Sequence, residues 1–274
     1  MTSTAIITGG ASGIGAALSR AMVARADTVV VADIDAEGAE LHAKQLNETG
    51  PGRAWAAPLD VRDATAVQDL VDRVVQAEGR LDVMVNNAGI GVGGEMAELS
   101  LAHWDRAIDV NLRGVVHGVH AAFPVMVRQR SGHIVNTASL AGLVPAALLT
   151  PYVMTKHAVV GLSLALRPEA ASHGIRVTAV CPGFTDTPIL DKAGPEDLPK
   201  PALAERGRDL ATKAQRHLYD ADLLAVDILR GMDRNKALVV APRSARVAWR
   251  AIRLAPGLSS AVGRLEMRYV RKHR

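Results

Sequence analysis

The stretch Thr4-Ala5-Ile6-Ile7-Thr8-Gly9-Gly10-Ala11-Ser12-Gly13-Ile14-Gly15 decides how the rest of the chain is read. A short apolar run enters a glycine cluster, and a helical pattern follows to about Arg25. That is a strand, a glycine turn and a helix. Such glycines let the backbone approach a pyrophosphate, and the N–H groups at the helix start stabilise its charge. Gly9, Ser12, Gly13, Ile14 and Gly15 are therefore candidate nucleotide contacts. The spacing is Gly-x-x-x-Gly-x-Gly, not the commoner Gly-x-Gly-x-x-Gly, so alone it fits an ordinary tight strand-to-helix turn equally well.

Outward from this unit the alternation repeats. Strands are expected at Thr28–Ala32, Arg53–Ala57, Leu81–Val85, His133–Thr137, Ile175–Val180 and Ala237–Val240, with helical patterns between them. Strands alternating with helices give a parallel, doubly wound α/β sheet with right-handed crossovers. Asp33 ends the second strand, 18 residues past Gly15, placed to accept hydrogen bonds from an adenosine ribose and to repel a 2′-phosphate. No Lys or Arg lies in the glycine turn, so NAD is expected over NADP. Asp35 reads as the cap of the next helix. Asp60 and Val61 end the third strand and are candidate adenine contacts, with a helix cap as the competing role of Asp60. Asn86-Asn87-Ala88-Gly89 ends the fourth, where small residues suit close passage of a cofactor. The long helical pattern from Leu99 to about Arg130 is interrupted at Asn111 and Gly114. His117 and His120 on it read as core or interface histidines, because no carboxylate or cysteine stands at metal-ligand spacing.

A second stretch carries the chemistry. Ser139 follows the fifth strand, and Tyr152 and Lys156, four apart, share one face of the next helix. A phenol titrates near ~10, and bringing it to about 7 needs roughly 4 kcal/mol. A cation at ~4 Å supplies about that much at an effective dielectric near 20. The pair thus suggests a proton donor and acceptor working near neutral pH, with the Ser139 hydroxyl holding a substrate oxygen.

Nearly half of the 274 residues are apolar, enough for a sizeable core built mostly of Ala, Val, Leu and Ile, since aromatics make up only 3%. Cys181 is the single cysteine, which excludes an intrachain disulfide and fits a cytoplasmic setting. It reads as a buried small residue. No signal peptide or membrane-spanning run is seen. The net charge of +4 is uneven: residues 243–274 hold nine Lys or Arg and one acid, Glu266, a net of +8 that leaves −4 on the remainder. The basic balance is therefore no argument for nucleic-acid binding by the body.

Assembled, these residues resemble a short-chain dehydrogenase/reductase over about residues 3–240. The resemblance rests on Thr8 to Gly15, Asp33, Asn86-Asn87-Ala88-Gly89, Asn111, Ser139, Tyr152, Lys156 and Pro182-Gly183, followed by Thr185 and Thr187. It implies a single Rossmann-type domain over 1–242 with a seven-stranded parallel sheet. Tyr152 would be the general acid/base, and Lys156 would hold the nicotinamide ribose and lower the tyrosine pKa. Ser139 would orient the substrate oxygen, and Asn111 would anchor a water linking Lys156 to solvent. Asn87, Ala88 and Gly89 would be cofactor contacts, and the segment from Pro182 and Gly183 through Thr185 to Thr187 would lie along the nicotinamide of NAD. A homodimer or homotetramer is the implied assembly.

Three departures stand out. Cys181 replaces the asparagine usual before Pro-Gly. Pro168 falls late in the Tyr152 helix, where a kink or an end is expected. The last is a basic helical extension over 243–274, with Arg243, Arg246, Arg250 and Arg253 on one face and, further on, an apolar stripe of Leu258, Val262, Leu265 and Tyr269. Such helices can lie on anionic membranes or pack on the body or a sister subunit. Leu140, Leu149, Phe184 and Leu190 flank the site with few charges, so a lipophilic secondary alcohol or ketone is the expected substrate, NAD the expected cofactor, and no metal is called for.

Overall fold

In the computed structural model the described residues are 2–192, 194–195, 197–202, 206–215, 217–255, 257, 263–264 and 267. Seven parallel strands form one sheet: β1 (Thr4–Thr8), β2 (Thr28–Asp33), β3 (Arg53–Pro58), β4 (Val83–Asn86), β5 (Gly132–Thr137), β6 (Ile175–Pro182) and β7 (Leu238–Ala241). Their spatial order is β3-β2-β1-β4-β5-β6-β7. The order reverses beside β1, and the carboxyl ends of β1 and β4 open the crevice where ligands of such sheets bind.

Both faces of the sheet are covered, which explains the near-continuous apolar strands. Ala5, Ile7, Val29, Val31, Val83 and Val85 point to one side. There they meet α1 (Gly13–Val23), α2 (Ala36–Thr49) and α8 (Ala221–Asp233). Ile6, Val30, Met84 and Ile134 point to the other, onto α3 (Ala64–Glu78), α5 (Gly114–Gln129) and α6 (Thr150–Ser172). The helix starts follow local chemistry. Asp35 accepts from Gly38 N and caps α2, as expected from the sequence, and Asp63 accepts from Thr65 N and Ala66 N and caps α3.

The interruption in the Leu99–Arg130 pattern is real. α4 (Leu101–Ile108) gives way to a π-helical turn, Asp109–Arg113, before α5 begins. Such single wide turns inside helices cluster at functional sites. Pro168 does not end the helix at its own position: α6 runs through it to Ser172. Pro168 lies on the exposed side, where the helix can curve away without losing core contacts.

After β6 the chain forms a short helical turn, Pro188–Leu190, then α7 (Gly207–Ala214). This excursion is tied down. His103 on α4 faces the Pro199 carbonyl at 2.9 Å, and Arg106 makes two hydrogen bonds to Asp197. α9 (Arg243–Leu254) follows β7 directly. The sequence-expected apolar stripe from Leu258 to Tyr269 lies outside the described residues.

Candidate active site

The glycine turn is built for close approach. Gly9 and Gly13 adopt φ of +63° and +52°, which side chains rarely tolerate. A Cβ on Gly15 would stand 2.0 Å from the Gly9 carbonyl oxygen, and one on Gly13 would stand 3.1 Å from Thr187 Cγ2. Ser12 precedes α1 without capping it, and the first turn holds no acid, so its leading N–H groups are left to an outside acceptor. Backbone donors, glycine clearance and a helix start converge on one crevice, and these residues fit a dinucleotide pyrophosphate.

Thr8 and Asn87 brace this turn. Thr8 Oγ1 donates to the Val85 carbonyl and accepts from Asn87 N and Ala88 N at 2.9 and 3.0 Å. Asn87 Nδ2 donates to the Thr8 and Gly9 carbonyls, and its Oδ1 accepts from Thr137 Oγ1. The Asn87 side chain is thus a brace between three strands. Asp33 has a structural task too: it accepts from Ala11 N at 3.0 Å and from Asp35 N at 3.1 Å. Two of its roughly four acceptor positions are used, and the rest stay available. Asp60 does not cap the following helix. Arg62 holds it through Nε, Nη2 and its backbone N–H, lowering the carboxyl below its usual range, and Asp63 is the helix cap instead. Next to it, the Val61 carbonyl accepts from His117 Nδ1 at 2.9 Å.

The second stretch arrives beside the turn at the same sheet edge. Lys156 is 3% exposed, and its ammonium donates to the Thr137 carbonyl at 2.8 Å. It lies 5.6 Å from the centre of the Tyr152 ring. Burial lowers its pKa to about 8. The Ser139 hydroxyl accepts from Ala141 N at 3.1 Å and favours the ionised form of the Tyr152 phenol. Within the chain alone, burial pushes the Tyr152 phenol up, the direction opposite to the expected acidification, and Ser139 offsets only part of this.

Behind this pair a buried ladder fixes α6. Asn86 Nδ2 donates to Asn136 Oδ1, Asn136 Nδ2 to Ser163 Oγ, and Ser163 Oγ to the Val159 carbonyl. Asn111, fully buried, exchanges two hydrogen bonds with the Ile90 backbone. Its side chain holds the Gly89–Ile90 loop; a Cβ on Gly89 would lie 3.1 Å from Asn111 Oδ1 and 3.4 Å from Lys156 Nζ. Any water carried by Asn111 must therefore compete with Ile90 for that side chain or use the backbone of the π turn.

The segment after β6 closes the far side. Thr185 and Thr187 are buried, and Gln215 clasps Phe184 through both its N–H and its carbonyl. Gly183 N donates to the Ala241 carbonyl next to Pro182. Arg208 on α7 pairs with Asp186 and Asp191 and donates to the Thr187 carbonyl. Leu149 reaches the glycine loop, where a Cβ on Gly93 would stand 2.7 Å from its Cδ2. Leu190 and Phe184 are part-buried. Leu140, by contrast, packs on the core around Cys181 and Val240. Cys181 is buried, and burial raises its thiol to about 12, as suits a packing residue. Thr137, Ile90, Gln215 and Arg208 were not singled out from the sequence, because they act through backbone atoms or on partners remote in the chain.

Residues 3–197 match the family described as short chain dehydrogenase. The chain belongs to the short-chain dehydrogenase family. Among curated relatives, 3-oxoacyl-[acyl-carrier-protein] reductase FabG of Thermotoga maritima is 38% identical, covering 73% of this chain and 80% of its own length. Oxidoreductase UcpA of Salmonella typhimurium is 37% identical over 75% of this chain and 79% of its own. Among solved structures, a short-chain dehydrogenase/reductase from Burkholderia phymatum in complex with NAD superposes with a TM-score of 0.85 at 28% identity, covering 94% and 95% of the two chains. One from Sphingobium yanoikuyae in complex with NADPH gives 0.78 at 26%, with the same coverage. As a short-chain dehydrogenase the chain is an oxidoreductase of a family that uses NAD or NADP, and its seven-stranded Rossmann-like sheet is the family's.

Proposed function

We propose that this short-chain dehydrogenase is an NAD-dependent oxidoreductase interconverting a lipophilic secondary alcohol and its ketone. The observation that carries the reading is the trio at the sheet edge: the buried Lys156 ammonium 5.6 Å from the centre of the Tyr152 ring on the same helix face, with Ser139 beside them just past the end of β5. Gly9, Ser12, Gly13, Ile14 and Gly15 would hold the pyrophosphate, Asp33 the adenosine ribose, Asp60 and Val61 the adenine, and Lys156 the nicotinamide ribose. Asn87, Ala88, Gly89 and the segment Pro182 to Thr187 would border the nicotinamide. When bound, the dinucleotide supplies the redox chemistry. The chain supplies position and proton transfer. Ser139 orients the substrate oxygen, and Tyr152 gives or takes the proton on that oxygen as general acid or base.

Relatives of both cofactor types match the fold, so the preference rests on this chain's own Asp33. Its carboxylate, fixed by Ala11 N at the end of β2, favours a ribose diol and disfavours a 2′-phosphate. The part-buried Leu149, Phe184 and Leu190 support an apolar substrate. Exposed Val116 on α5 and Met154 and Leu164 on α6 support pairing of copies into a homodimer or homotetramer. A cytoplasmic setting agrees with the unpaired Cys181. Fluorescence titration with NADH and NADPH tests the cofactor, and tighter NADPH binding would overturn the preference. A panel of ketones and alcohols tests the substrate, and turnover of small charged hydroxy acids alone would overturn the lipophilic reading.

A further inference from the structure

α9 has two unlike faces. Ala245 is 3% exposed and Trp249 packs beside it on the core next to Cys181 and Val240, so one face docks on the body. The opposite face is open. Val247 is 68% exposed and Leu254 87%, and Ala248 and Ala251 between them are exposed too. At helical spacing these four make one apolar strip. Along its flank stand Arg243 and Arg250, both exposed, and Arg253, whose guanidinium lies 6.0 Å from the centre of the Trp249 ring. No acid occurs between Arg243 and Ala255, and from Arg243 to the end nine Lys or Arg face one Glu.

We infer that this face of α9 rests on an anionic membrane surface. An apolar strip edged by arginines matches what a lipid headgroup layer offers, negative phosphates above hydrocarbon, with the arginine stems lying along the apolar strip and their heads in the phosphate layer. A second copy of the chain is the poorer fit. In a two-fold interface each patch meets itself, which would set Arg243 and Arg250 against their own copies with no acid to separate them. The placement also gives the contact a consequence. Pro182 pairs with Ala241, and a Cβ on Gly183 would lie 3.3 Å from Ala245 Cβ, so the first turn of α9 abuts the segment that walls the candidate active site. Membrane docking sets the mouth of that site close to the lipid. The docking itself does not rest on the cofactor or substrate reading.

The test is co-flotation of the full-length protein with phosphatidylglycerol-containing vesicles and with pure phosphatidylcholine vesicles. Binding is expected to the anionic vesicles only, and to fall with added salt. Val247→Asp with Leu254→Asp leaves every arginine in place and should lower partitioning by roughly tenfold or more. Arg243→Glu with Arg250→Glu and Arg253→Glu should lower it by roughly a hundredfold. Near-UV circular dichroism and thermal midpoint establish that both variants are folded, and single-residue versions replace either one that is not. No binding to anionic vesicles overturns the inference, as does equal binding by wild type and the apolar variant. Retention on duplex DNA without vesicle binding would assign the arginines to nucleic acid. A smaller oligomer for the apolar variant without vesicle binding would assign the strip to a subunit contact. Either result overturns the inference.

Discussion

Lys156 is held in its place against its own solvation, and replacing it by methionine exposes that cost. Burial lowers the ammonium from 10.5 to about 8. At about 1.4 kcal/mol per pH unit the gap is worth roughly 3 kcal/mol against the folded state. The sign follows from proton counts. Below the folded value both states carry the proton and the whole penalty is present. Between about 8 and 10.5 the unfolded chain keeps its proton while the folded chain releases it, so stability rises with pH and the penalty is gone above 10.5. Methionine keeps the length and removes the charge, but leaves the Thr137 carbonyl, now bonded at 2.8 Å, without its donor. That orphaned acceptor costs about 1–3 kcal/mol. Lys156→Met is therefore expected to be as stable as wild type or up to about 2 kcal/mol more stable near neutral pH, and less stable by about 1–3 kcal/mol in strong base. Urea unfolding of both proteins across this range is the assay, and turnover is expected to be lost throughout. The difference between the two should move by roughly 3 kcal/mol, with Tyr152 and Cys181 common to both. Parallel profiles, moving by less than about 1 kcal/mol, would refute the claim that the lysine is charged at a cost to the fold.

Tyr152→Phe should keep dinucleotide affinity while turnover drops by about a hundred- to ten-thousandfold; a variant turning over at the wild-type rate would remove the acid/base assignment. Gly15→Ala places a Cβ where the Gly9 carbonyl oxygen stands, so titration should show loss of dinucleotide binding together with about 1–3 kcal/mol of destabilisation. His103→Leu strips a donor from Pro199 and an acceptor from Ser100. It should cost about 1–3 kcal/mol and speed proteolytic cleavage near Pro199, measured by limited digestion against wild type.

The alternation of apolar strand and amphipathic helix was readable because a sheet covered on both faces demands apolar residues at nearly every strand position, a constraint that needs no knowledge of neighbours. The Asp35 cap was equally readable, since a cap depends only on residues a few positions away. The Tyr152 and Lys156 pair was legible through helix periodicity. The competing cap role of Asp60 fell to Asp63, three residues on, because local pattern does not rank such near neighbours. The packing of Leu140 on the cluster around Cys181 and Val240 was not legible, because those partners lie about 40 to 100 residues further on.

What the sequence determined by itself was therefore everything periodic or local: the doubly wound sheet, the glycine turn and the shared face of Tyr152 and Lys156. What only the tertiary structure decided was the electrostatic state of that face. The sign of the Tyr152 shift depends on how much water burial removes and on how much Ser139 offsets, and solvation and neighbours are properties of the folded surroundings, not of residue order.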